Sequence, residues 1–201
     1  MRTAYRVLGG LLVLGALAYG AVRLRPSVAL TLAPLLDLMD ACAEAAVQKS
    51  ADPVAGHLLV PESGGYWVAR VNTDVGPVTL YLHYRHDTGA LHACGIRGGP
   101  WAEKAGTPAP DVTWATAEPK VAEWFARRLQ QPGNVEQSLE DGFFAVYCPG
   151  DGREGIHLMA HPSGYENRDS SEPDAAPALV VNFSHVVNNP GSPCQVVAQG
   201  G

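Results

Sequence analysis

The residues of this 201-residue chain best suited to chemistry are its seven histidines and four cysteines. His157 and His161 stand four positions apart in "GIHLMAH". On a strand, side chains alternate between faces, so these two imidazoles share one side. Ile156, Leu158 and Ala160 take the other, more apolar side. The pattern therefore predicts a core face of aliphatic residues and a solvated face carrying both histidines. If the last strand lay beside this one, His185 could join them and complete a three-histidine site of the kind zinc accepts. Solvated histidines are the simpler expectation. His83 and His86, three apart on a strand, fall on opposite faces and cannot chelate together. His92, placed opposite Tyr84, reads as a hydrogen-bonded border residue.

Cys42, Cys94, Cys148 and Cys194 are spaced by roughly fifty residues, with no C-x-x-C pair among them. A zinc ribbon and a thioredoxin-type redox site both lack their motif. An even number of cysteines behind an export-like segment points instead to two disulfides. Sequence leaves three connectivities open. Cys42–Cys94 with Cys148–Cys194 is the favoured one, each bond closing a loop worth up to about 4 kcal/mol.

Other chemistry is sparse. The nucleophile elbow, the zinc-protease helix, the S-x-x-K motif and the phosphate-binding P-loop are all missing. "CGIRGGPW" lacks the strand-loop-helix spacing of a phosphate cradle and reads as a turn. Glu166, Asp169, Glu172 and Asp174 fall in a polar stretch without calcium-loop spacing. Trp101 and Trp114 bracket a Pro-rich connection, where they either pin that loop or line a groove. Asn182-Phe183-Ser184 is a glycosylation acceptor by pattern, but it lies in an expected core strand. No cofactor is called for.

These residues need elements to hold them. Leu32, Leu35, Leu36, Met39, Ala43, Ala46 and Val47 recur at helical spacing. They predict a helix capped by Thr31, with Pro34 in its first turn and an end near Lys49. Strands are expected at 57–60, 66–72 and 78–86. "YLHYRHDTGALHACGI" reads as a hairpin with Gly89 in the left-handed conformation. Its register pairs Leu82 with Cys94, Leu80 with Ile96 and Tyr84 with His92. A second helix, from Pro119 to about Gln131, buries Val121, Trp124, Phe125 and Leu129. Strands at 143–148, 155–161 and 178–187 follow. The order predicts an α+β domain: an antiparallel β-sheet with two helices packed on one face. Loops at 98–116 and 162–177 are expected to be mobile.

The chain opens with Arg2 and Arg6 ahead of an uncharged run from Val7 to Val22. At ~1.5 Å per residue that run spans roughly 24 Å of helix, close to the bilayer core. Ala16-Leu17-Ala18 also reads as a cleavage site. Arg23 and Arg25 directly after the run favour a retained membrane anchor over a cleaved signal. Residues 1–25 are thus a signal peptide or N-terminal transmembrane anchor, and 26–201 form a single exported domain. After Arg25 the chain holds all 20 acids against the remaining 10 of its 14 bases. A body of that charge repels phosphates, which excludes a nucleic-acid partner. The expectation is a periplasmic or extracellular domain, anchored in the membrane by residues 7–22 when these are uncleaved. It binds an envelope protein partner and performs no catalysis. The alternatives are a metal-dependent enzyme using His157, His161 and His185, and a small-ligand or lipid carrier.

Overall fold

The computed structural model describes residues 32–99, 111–149, 154–163, 177–187 and 193–194. The N-terminal run expected to serve export, Thr31, Trp101 and the acidic run 166–174 lie outside them. Helix α1 spans Leu35–Gln48 and α2 spans Trp114–Leu129. The strands are β1 (Val60–Pro61), β2 (Tyr66–Thr73), β3 (Gly76–Tyr84), β4 (Leu91–Arg97), β5 (Asn134–Gln137), β6 (Phe143–Tyr147), β7 (Glu154–Pro162) and β8 (Leu179–Val187). They form one antiparallel sheet in the order β1-β2-β3-β4-β8-β7-β6-β5. The class is α+β, as the patterning predicts. β5 is additional to the expected strands; only one of its four residues is aliphatic, so it carries no apolar alternation. Among the described residues no helix is long and apolar enough to cross a membrane.

The topology repeats itself where the sequence shows no repeat. Each helix is followed by a four-stranded meander, and the two meanders join edge to edge at β4 and β8. Cys94 on β4 is the register partner of Phe183 on β8, so the two side chains share a face. α1 reaches that face through the Cys42–Cys94 disulfide, and α2 reaches it by stacking Trp124 on Phe183 at 5.1 Å. Both helices therefore cover one side of the sheet. Trp124 Nε1 also donates to Asp40 Oδ1 of α1 at 2.7 Å, tying the helices together. The second disulfide, Cys148–Cys194, links the end of β6 to a buried C-terminal cysteine.

Both helix starts differ from the expectation. α1 begins after Pro34, which occupies the cap position rather than the first turn. The amide of Leu35 is satisfied by Asp74 Oδ1 at 2.9 Å, a residue from the β2–β3 turn. Leu32 precedes the helix and is 55% exposed, whereas Leu38 joins the core. α2 starts at Trp114, five residues before Pro119. Thr113 caps it by accepting from the Thr116 amide at 3.3 Å. Pro119 costs the helix one hydrogen bond, that to the Ala115 carbonyl. The Thr113 cap and the buried Ala117 lie in the first turn, ahead of that missing bond. The connection expected over 98–116 thus ends at the cap. Val112 is buried, and its amide donates to the Gly98 carbonyl at 2.8 Å.

The β3–β4 hairpin keeps the expected pairs Leu82–Cys94 and Leu80–Ile96, with Gly89 at φ 65°. The pairing of Tyr84 with His92 is corrected. A bulge between His83 and Tyr84 sets Tyr84 opposite Leu91. The unbulged register would turn an imidazole toward the core; the bulge buries Leu91 there instead.

Candidate functional site

α1 ends at Lys49 in the left-handed conformation and the chain drops into a short 3-10 turn, Asp52–Val54. Val54 is buried and anchors the turn. The chain then runs through His57, Leu58 and Leu59 into β1. This segment faces the helix-bearing side of β2 and β3, where Trp67 and Leu82 are register partners and Tyr84 follows two residues on. Between them lies an open groove of about 620 Å³. Ala51, Ala55, His57, Leu58 and Leu59 line one part of it; Trp67, Leu82, Tyr84 and Gly89 line the rest. Leu58 is 87% exposed and Trp67 42%, beside an exposed Val60. That is an unusual concentration of bare apolar surface for one corner of a small domain.

No lining residue is an acid, a lysine or an arginine. Burial holds the His57 imidazole below its ordinary pKa, and burial raises the Tyr84 phenol. Both are neutral at neutral pH. The groove thus offers aliphatic and indole surface with one imidazole and one phenol for orientation. Its volume falls within the usual 300–1,000 Å³ of small-molecule sites. The sequence carried one trace of it. Leu58 and Leu59 are adjacent, so a strand at 57–60 would have sent one of them outward.

The histidines singled out by spacing do not converge. β7 and β8 are neighbours, as a three-histidine site requires, but the register pairs His157 with Ser184 and His185 with Ile156. His157 and His161 therefore lie on the sheet's second face. His185 lies on the helix-bearing face, where its Nε2 bonds the Ala46 carbonyl of α1. The sheet itself separates His185 from the other two. Nor are the two on the second face simply solvated. His161 is 6% exposed, with Nδ1 at 2.9 Å from the Pro162 carbonyl. His157 is half-buried, edge-on to Phe144 at 5.0 Å. Burial lowers the pKa of His157. It lowers that of His185 too, where the nearby Lys49 adds to the effect while the Ala46 bond and Glu154 oppose it. Among the described residues no three histidines, cysteines or carboxylates gather as a metal-binding group.

All four cysteines are spent on the two disulfides. Trp114 packs against Phe143 at 6.1 Å at the start of α2; its partner in the expected groove, Trp101, lies outside the described residues. Asn182 sits mid-strand in β8 between Gly95 and Met159. Residues 150–155, "GDGREG", have the glycine spacing of a dinucleotide-binding loop. They join two antiparallel neighbours, β6 and β7, not a strand to a helix. The helix N-terminus that such a loop needs for a pyrophosphate is therefore missing. No family model, no curated protein and no solved structure matches the chain.

Proposed function

We propose that this chain is a non-catalytic binding domain of the cell envelope that holds an amphiphile with a single unbranched apolar chain. The observation that carries the reading is the groove beneath Leu58 and Trp67, uncharged and open to solvent. A body of this acidity disfavours anionic polymers, but an apolar chain is recognised by area and shape, at about 25 cal/mol per Å² buried. The His57 imidazole and Tyr84 hydroxyl supply neutral hydrogen-bonding groups for a head group. Two disulfides suit an oxidising compartment outside the cytoplasm. The basic-flanked apolar run at residues 7–22 suits delivery there, with retention at the membrane if it is uncleaved. In this reading an envelope protein receives the ligand or donates it.

The test is titration of the full-length protein with a fluorescent single-chain fatty acid. Saturable one-to-one binding with a dissociation constant on the order of micromolar is expected. Leu58→Asp and Trp67→Ala should each weaken it by roughly tenfold or more, since each removes rim surface that the chain covers. Absence of saturable binding, or unchanged affinity in both variants, refutes the reading.

A further inference from the structure

A second site emerges at the same hairpin, on residues that sequence spacing set aside. The slip between His83 and Tyr84 leaves His83 opposite Ala93 and makes His92 the extra residue of the bulge. The two imidazoles come to 5.8 Å between ring centroids, with planes at 77°. Tyr66, the register partner of His83 on β2, stacks on His83 at 4.3 Å and 14° and so holds that ring in place. His92 is the ring left to turn, about a terminal torsion that is broad and soft.

The separation suits two imidazoles sharing one metal ion. With metal–nitrogen bonds of about 2.0–2.1 Å, a ring centroid lies about 3.2 Å from the metal. Two such rings are then roughly 4.5 Å apart at the right angle of a tetragonal site, roughly 5.2 Å apart at a tetrahedral angle and roughly 6.4 Å apart when opposed. The observed spacing falls between these limits. Charge is compatible as well. Burial lowers the pKa of His83, and so do His92 and His86. Burial lowers that of His92, helped by Arg85 and His185. Both rings are therefore in the neutral, ligating form at neutral pH. The nearby guanidinium of Arg85 is already paired with Asp87 at 2.8 Å.

We propose that His83 and His92 form a two-imidazole site for a divalent transition cation, copper(II) ahead of nickel(II) and zinc(II). Imidazole nitrogen suits all three metals, and affinity for such donors peaks at copper. Solvent or a donor from a bound molecule fills the remaining positions. With two protein ligands the ion exchanges readily, and the fold does not depend on it because the disulfides hold the sheet and helices together. The site captures metal; it is not a structural staple.

The probe is copper(II) alone, titrated into the full-length protein and read by electron paramagnetic resonance. One equivalent should give nitrogen splitting from two imidazoles. His83→Gln and His92→Gln keep side-chain polarity and should each weaken binding on the order of tenfold or more and remove one nitrogen from the splitting. His157→Gln, on the far half of the sheet, should leave the signal unchanged. The thermal midpoint of each variant without metal distinguishes lost ligation from lost fold. Wild-type copper binding in both hairpin variants, or loss of the splitting in His157→Gln alone, overturns the assignment.

Discussion

Gly95→Ala tests how the second face of the sheet is packed. Gly95 lies mid-strand in β4 with Tyr81 as its partner on β3. The ring of Tyr81 lies across the glycine, and its hydroxyl reaches toward the Val181 carbonyl at 3.4 Å. A Cβ at position 95 would stand 2.2 Å from Tyr81 Cζ, 2.3 Å from its hydroxyl oxygen and 2.5 Å from the Val181 oxygen. Ordinary carbon contacts are about 3.5–4.0 Å, so something must move. The phenol can swing away. The Val181 carbonyl belongs to β8 and moves only if the junction between the two meanders opens. Overpacking of this kind costs about 1–3 kcal/mol. Displacing Tyr81 also forfeits its edge contact with Tyr66, at 6.3 Å, for roughly another 0.5–1.5 kcal/mol. The expected loss is about 2–4 kcal/mol, or roughly 4–16 °C in thermal midpoint for a domain of this size. Circular-dichroism melts of the wild type, Gly95→Ala, Tyr81→Ala and the double variant measure it. Removing the ring relieves most of the clash, so the double variant should be more stable than additivity predicts by about 1–2 kcal/mol. A Gly95→Ala protein within about 0.5 kcal/mol of wild type, or strict additivity, refutes the packing argument.

Asp74→Ala should destabilise by about 1 kcal/mol in urea titrations, because it removes the cap on α1 and the ion pair to Lys120 on α2. Asp74→Asn keeps an oxygen for the Leu35 amide and should recover most of that; equal damage from both variants contradicts the cap. Cys42→Ala with Cys94→Ala should cost about 4 kcal/mol from the opened loop alone. Both of those cysteines are fully buried, whereas Cys148 is partly exposed, so graded reductant followed by alkylation and peptide mapping should free Cys148–Cys194 first. Prior release of Cys42 would contradict the burial argument. His57, His83, His92, His157 and His185 all have lowered pKa values in the folded chain, chiefly from burial. The unfolded chain then binds more protons as the pH falls below about 6.5. Stability is therefore full above that pH and declines on acidification, which urea midpoints at neutral and mildly acid pH measure; a midpoint that holds or rises on acidification refutes it.

Much of the frame is legible in local pattern. Leu80, Leu82, Cys94 and Ile96 alternate so that a one-residue slip would split them between the two faces, and the sheet adopts a register that keeps all four indoors. The stripe of Val121, Trp124 and Phe125 marks α2 as buried, and the favoured cysteine pairing is the one formed. The helix starts are not legible in the same way. α1 takes its cap from Asp74, a residue 39 positions away, and no local motif encodes such a partner. β5 escaped notice because a short edge strand draws its hydrogen bonds from β6, not from its own side chains. The candidate sites were the least legible of all. Spacing along one strand put His157 with His161 correctly, but it could not say which face of the next strand carries His185. A one-residue change in pairing reverses that answer.

Alternation and helical periodicity are properties of neighbouring residues. The chain by itself therefore determined its class, the two helices, most strands, the core faces and the residues free to form disulfides. Only the tertiary structure decided how β4 meets β8, where the bulge at His83 falls, and which apolar residues stay uncovered around the groove. Those outcomes depend on contacts between segments far apart in sequence, where register and burial are settled by the sum of many partners, not by any one stretch.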